Sequence, residues 1–164
     1  MPLSVYPPTS ENSPLLPMPA LSTSYTELQS VLDSHGRLIA SFRHYPEEQL
    51  LYIRWTGNLT GEEVIKVAKA AIPILQRLHC PLLLNDKTDS TGDWSEALPW
   101  LEYEWLPLAM KQGLRAFAYV FSPDLQNQFI SVAFAERVGQ QIPIQLFYDT
   151  ATAWNWLRRQ HAAA

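Results

Sequence analysis

The apolar positions of this chain recur with two different periods, and the switch between them divides it into elements. Leu38, Ala40 and Phe42 alternate with Ile39, Ser41 and Arg43, and Leu51, Ile53 and Trp55 alternate with Leu50, Tyr52 and Arg54. A period of two is that of a strand, and Pro46-Glu47-Glu48 between the runs supplies a turn, so the two segments are expected to pair antiparallel. Tyr25 to Leu32 has two readings. Ser24 with Glu27 makes a capping box ahead of Leu28, Val31 and Leu32 at helical spacing. Leu32-Asp33-Ser34-His35-Gly36-Arg37-Leu38 equally reads as a hairpin turn between strands, and the hairpin is the preferred reading.

After Gly57 the period changes. Thr60 and Glu63 form a capping box, and Val64, Val67, Ala68, Ala71, Leu75 and Leu78 line one face of the helix that follows. Pro73 lies inside this run, where its missing N–H is expected to kink or open the helix. Pro81 to Asn85 is a short continuous apolar run, as in a strand buried on both faces, and Asp86 to Asp93 follows it as a polar loop. Asp93 with Glu96 caps a helix to about Gln112, interrupted early by Pro99 and stopped at Gly113. Ala116 to Phe121 is another buried strand, Ser122-Pro123-Asp124 opens a helix to about Gly139, and Ile142 to Tyr148 is the last strand. Asp149 or Thr150 caps a terminal helix through Arg159.

This order, a β-hairpin followed by βαβ units, predicts an α/β fold whose mixed sheet is flanked by helices, because parallel neighbours need helical crossovers. Its 164 residues suffice for a single domain, expected over 25–161. Residues 1–24 hold six of the thirteen prolines with serine and threonine between them, a composition expected to stay a flexible tail.

Charge narrows the function classes. The net charge is −4, and no cluster of Lys and Arg faces a phosphate backbone, so nucleic acid is not an expected partner. Arg158, Arg159 and His161 suit the negative end of a helix dipole. No apolar run approaches the roughly 20 residues of a membrane span, and Met1 to Ala20 lacks the basic and apolar regions of a secretory signal. The expected location is the cytoplasm. The single cysteine, Cys80, precedes an apolar strand and reads as a buried, inert thiol.

Leu51-Tyr52-Ile53-Arg54-Trp55-Thr56-Gly57 and the helix begun by Thr60-Gly61-Glu62-Glu63 resemble the start of SpoIIAA-like proteins of the STAS superfamily. Trp105-Leu106-Pro107 before Gly113-Leu114, Ser122-Pro123 after a strand, and Tyr148-Asp149 before Ala153-Trp154-Asn155-Trp156-Leu157 extend the likeness over about residues 37–159. The resemblance implies a STAS-like fold, also likened to the CRAL-TRIO domain that binds lipids. It further implies action by binding protein partners, in some members under serine or threonine phosphorylation.

Two stretches are candidate sites. Asp86 to Asp93 leaves the C-terminal end of a buried strand and enters a helix, where open α/β sheets place ligands. Asp89-Ser90-Thr91-Gly92 resembles the Asp-Ser-Ser-Gly around the phosphorylated serine of anti-sigma-factor antagonists, which marks Asp86, Thr88, Ser90 and Thr91 as a candidate regulatory loop. The spacing from the strand is shorter than in that family, Asp93-Trp94 replaces an apolar residue, and any solvated loop and cap has this composition. The second stretch is aromatic: Trp94, Trp100, Tyr103 and Trp105 are a candidate interface or pocket. Trp105 shares a face with Leu101 and Leu108 and reads as core. The bland alternative for Trp94 and Trp100 is that they cover the open end of the sheet.

No catalytic constellation emerges. His35, His44, His79 and His161 have no metal-ligand spacing with one another or with Cys80, and there is no Gly-rich phosphate loop or nucleophile elbow. The expectation is therefore a non-enzymatic domain without metal or cofactor, acting through a protein partner and forming a homodimer. The alternative is an apolar small molecule or lipid bound beside helices that Pro73, Pro99 and Pro107 keep from packing tightly.

Overall fold

The computed structural model describes residues 21–162. Its centre is a six-stranded sheet in which spatial order follows chain order: β1 (Thr26–Leu32), β2 (Leu38–Tyr45), β3 (Leu50–Asn58), β4 (Leu82–Thr91), β5 (Ala116–Val120) and β6 (Ile144–Phe147). β1, β2 and β3 are antiparallel neighbours, and β3 through β6 are parallel. The hairpin reading of Tyr25 to Leu32 holds, with Val31 opposite Ala40 and Asp33 Oδ1 accepting from the backbone N–H groups of His35 and Arg37 in the turn.

The parallel strands are linked through helices: α1 (Gly61–Leu78) between β3 and β4, and α4 (Leu125–Val138) between β5 and β6. The connection from β4 to β5 is a composite of a 3-10 turn at Ser95–Ala97, α2 (Leu98–Trp100), a π turn at Leu101–Trp105 and α3 (Leu106–Lys111). Crossovers of one hand into successive neighbours put all of these on one face of the sheet. The opposite face receives α5 (Thr150–Ala162).

Strand alternation sorts the core accordingly. Leu83 of β4 and Phe117 and Tyr119 of β5 face α1, the composite helix and α4. Leu82 and Leu84 with Ala116, Ala118 and Val120 face Trp154, Trp156 and Leu157 of α5. Both faces being covered explains why these strands read as continuous apolar runs. The small Ala116 and Ala118 leave room on their side for the two indoles of α5.

The capping box of Thr60 and Glu63 forms, and α1 continues through Pro73 to a left-handed cap at His79. Cys80 is buried, and burial pushes its thiol up to about 11, in keeping with an inert group. Three boundaries differ from expectation. Asp86 to Thr91 is strand, not loop, because β4 goes on pairing with β3 after β5 has ended at the Asp86–Val120 pair. The expected helix after Asp93 is the four-part composite, with Pro99 and Pro107 each near the start of a new helical piece, where a missing N–H costs least. The last strand is shorter than Ile142 to Tyr148, and the final helix longer than expected. The predicted flexible tail, apart from its last residues, lies outside the described residues.

Candidate functional site

The C-terminal half of β4 brings the candidate polar residues together, and a bulge decides which way each one faces. Between the pairs Arg54–Asp86 and Thr56–Asp89, β3 advances two residues and β4 three. An extra residue of this kind bends a strand and re-aims its side chains. Asp86 looks toward the α5 side, where its Oδ2 accepts from the Tyr52 hydroxyl at 2.5 Å and its Oδ1 accepts from Thr88 N and Thr88 Oγ1 at 3.0 and 2.5 Å. Burial, and then the bond to Asp86, push the Tyr52 phenol well above its ordinary range. Asp89 is exposed and pairs with Arg54, whose Nε donates to Asp89 Oδ2 at 2.8 Å.

Ser90 corrects the picture of an accessible regulatory loop. It is completely buried, its Oγ donates to the Lys87 carbonyl at 2.9 Å, and its own carbonyl accepts from Ser122 Oγ at 2.5 Å. The strand end is pinned beneath the start of α4. Gly92 N donates to Asp124 Oδ2 at 2.9 Å, and Gln126 Nε2 donates to Asp93 Oδ2 at 3.0 Å. Asp124 also caps α4 by accepting from Gln126 N. Gly92 has φ +104°, and a Cβ there would sit 2.4 Å from the Leu59 carbonyl oxygen. Glycine is needed at this point for backbone reasons, whatever the motif resembles. Thr88 and Thr91 are the exposed hydroxyls of the four residues.

On the other side of β4, Lys87 points into the layer between the sheet and the helices. Its Nζ lies 3.9 Å from the ring centre of Trp94, 4.3 Å from that of Trp55 and 5.6 Å from that of Tyr119. The side chain is buried, and among the described residues nothing accepts a hydrogen bond from its Nζ. Burial alone pulls the amine down to about 7. Trp55 Nε1 donates to Asn85 Oδ1 at 3.0 Å, which fixes one wall of this aromatic box, and a cavity of about 20 Å³ adjoins it. Sequence reading missed Lys87. The signal was present, since alternation places Leu83, Asn85 and Lys87 on one face of a strand, but the strand had been ended at Asn85.

The four candidate aromatic residues at and after the end of β4 do not form one surface. Trp94 is fully buried against Phe134 and Lys87, and Trp105 is core, its Nε1 donating to the Ala68 carbonyl at 2.8 Å. Trp100 is half-buried with Lys69 near its ring. Tyr103 is 70% exposed. Two apolar residues that sequence reading passed over are as exposed as Tyr103: Leu125 at 66% and Phe129 at 69%, one turn apart on α4. The two helices are neighbours, with Arg137 of α4 bridging to Glu102 beside Tyr103.

Among the described residues no helix is long and apolar enough to cross a membrane, and no group of three or more His, Cys, Asp or Glu is placed to hold a metal. No protein-family model matches the chain, and no curated protein matches it. Two solved structures are similar. One is an uncharacterized protein of the DUF3478 family with a SpoIIAA-like fold, from Shewanella loihica PV-4, at 17% identity and TM-score 0.43, covering 83% of this chain and 97% of that one. The other is one chain from a structure of the diguanylate cyclase SiaD in complex with its activator SiaC, from Pseudomonas aeruginosa. It shows 10% identity and TM-score 0.38, covering 74% of this chain and 98% of that one.

Proposed function

We propose that this is a cytoplasmic, non-enzymatic interaction domain that works by binding protein, with the outer side of α4 as its contact surface and a second copy of the chain as partner. The observation that supports this most is the Leu125–Phe129 pair, two large apolar side chains held in water one helical turn apart. Single exposed apolar residues are ordinary, whereas two adjacent ones on one helix face make a patch of the kind that interfaces bury. A two-fold contact would pair the patch with itself. Ion-pair rims such as Arg137–Glu102 set orientation more than affinity.

Light scattering over a concentration series tests the reading. The expected result is a dimer that Leu125→Ser with Phe129→Ser converts to a monomer of unchanged circular dichroism. A native chain that stays monomeric at high micromolar concentration overturns the homodimer. A dimer that the two substitutions leave intact removes α4 as its interface.

A further inference from the structure

The box around Lys87 borders a small cavity that this residue lines. Nζ is buried with no acceptor among the described residues, and the adjoining cavity of about 20 Å³ is walled mainly by Ile53, Val64, Ala71, Leu83, Leu101 and Phe134. We propose that this cavity captures a short aldehyde as an imine on Lys87. The idea goes beyond the protein-binding reading and rests on the small-molecule alternative that the sequence raises, taking this cavity as its site.

Three features carry it. A desolvated lysine in an apolar pocket is the kind of amine that forms Schiff bases, and burial, which pulls Lys87 down to about 7, favours its nucleophilic free base. The cavity admits about one water-sized centre. The bound imine adds only the aldehyde's carbons to this space, because the oxygen leaves as water once the carbinolamine collapses. Finally, Leu101 and Trp105, at the two ends of the π turn, line the cavity. Such turns break the regular helical ladder and are frequent at functional sites.

The step balances without an oxidant or reductant. The Nζ lone pair attacks the carbonyl carbon, the C=O π pair moves to oxygen, and a proton passes from nitrogen to that oxygen. The carbinolamine then loses water, forming the C=N bond as the C–O bond breaks. When protonated, the product is an iminium cation held against the faces of Trp94 and Trp55, which attract positive charge.

The test treats the full chain at pH 7 with acetaldehyde and cyanoborohydride, which reduces an imine to a stable N-ethyl amine, and maps the product by peptide mass spectrometry. Lys87 is expected to be ethylated ahead of the exposed Lys66, Lys69 and Lys111. Ala71→Val, which fills the cavity and leaves the amine in place, is expected to slow labelling of Lys87 by about tenfold without changing the others. Lys87 labelled last, or only in denaturant, overturns the proposal, as does equal labelling in Ala71→Val. Xenon provides the separate check on the cavity. If xenon binds but Lys87 stays unlabelled, the cavity is a small-molecule site and the imine is wrong; if neither occurs, both readings fall.

Discussion

The Tyr52 hydroxyl and the Asp86 carboxylate meet across β3 and β4 at 2.5 Å, and both side chains are largely shut off from water. This bond closes the polar end of an otherwise apolar face: beyond it Leu84 and Leu82 pack against α5. Tyr52→Phe removes the donor and leaves Asp86 to Thr88 alone. Urea denaturation is expected to show a loss of about 1.5–3 kcal/mol, the range for a hydrogen bond to a charged group. The same phenol predicts an alkaline limit. Its folded-state value is raised above the unfolded one, so its contribution is full below about pH 10 and is lost as pH climbs toward the folded value. Tyr52→Phe should therefore flatten the fall in stability above pH 10.

Lys87 gives a dependence of the opposite sign. Its folded value of about 7 lies below that of a free lysine, so between the two the unfolded chain binds more protons. Stability should rise as pH increases through this window, and the cost of burying the amine is greatest at the acid end. Lys87→Met, apolar and of similar length, is expected to be more stable than the native chain at pH 7. That advantage should shrink steadily toward pH 10 in paired thermal melts, whereas a constant difference would mean that the amine does not titrate in the fold.

Two substitutions at the resembling motif separate regulation from structure. Ser90→Glu places a charge where the native hydroxyl has no contact with water and donates to the Lys87 carbonyl. It should destabilise the domain by several kcal/mol, more than about 3, and lower its yield of folded protein. Thr91→Glu adds the same charge at an exposed position and should leave the melting temperature nearly unchanged. Similar melts for the two variants would overturn the buried placement of Ser90.

Gly92→Ala tests the junction between β4 and the composite helix. The added methyl meets the Leu59 carbonyl oxygen and Asn58 Oδ1, and φ +104° disfavours any L side chain. A loss of at least about 2 kcal/mol is expected by chemical denaturation, together with weakening of the Gly92–Asp124 link that seats α4.

Much of the architecture was legible because it depends on local period and capping. The alternation in β2 and β3, the Thr60–Glu63 box and the apolar runs of β4 and β5 each state their element without knowledge of partners. The end of β4 was not legible, since Asp86 to Thr91 has the composition of a loop and is strand only because β3 is there to pair with it. The π turn was hidden as well: Leu101 to Trp105 has the composition of an ordinary helix, and no residue in it marks the widened turn. Trp105 was read correctly as core. Trp94 and Trp100 parted company because the 3-10 turn and α2 set them at different depths, which no single helical wheel describes. Lys87 stayed out of sight because a lysine amid Asp and Thr suggests water, although the alternation that buries Leu83 and Asn85 carries on to it once the strand is extended.

Because strand order follows chain order, each strand leaving the ribosome finds its sheet neighbour already made, and no insertion between formed strands is required. The helices on one face arrive along with the strands they join. Among the described residues the opposite face has only Leu21 against it from the earlier chain: Leu82, Leu84, Ala118 and Val120 wait for α5, which comes after every strand. During synthesis this domain therefore passes through a stage in which the sheet is complete but one side is largely bare and sticky. Its solubility in the cell depends on how quickly the thirteen residues of α5 close over it.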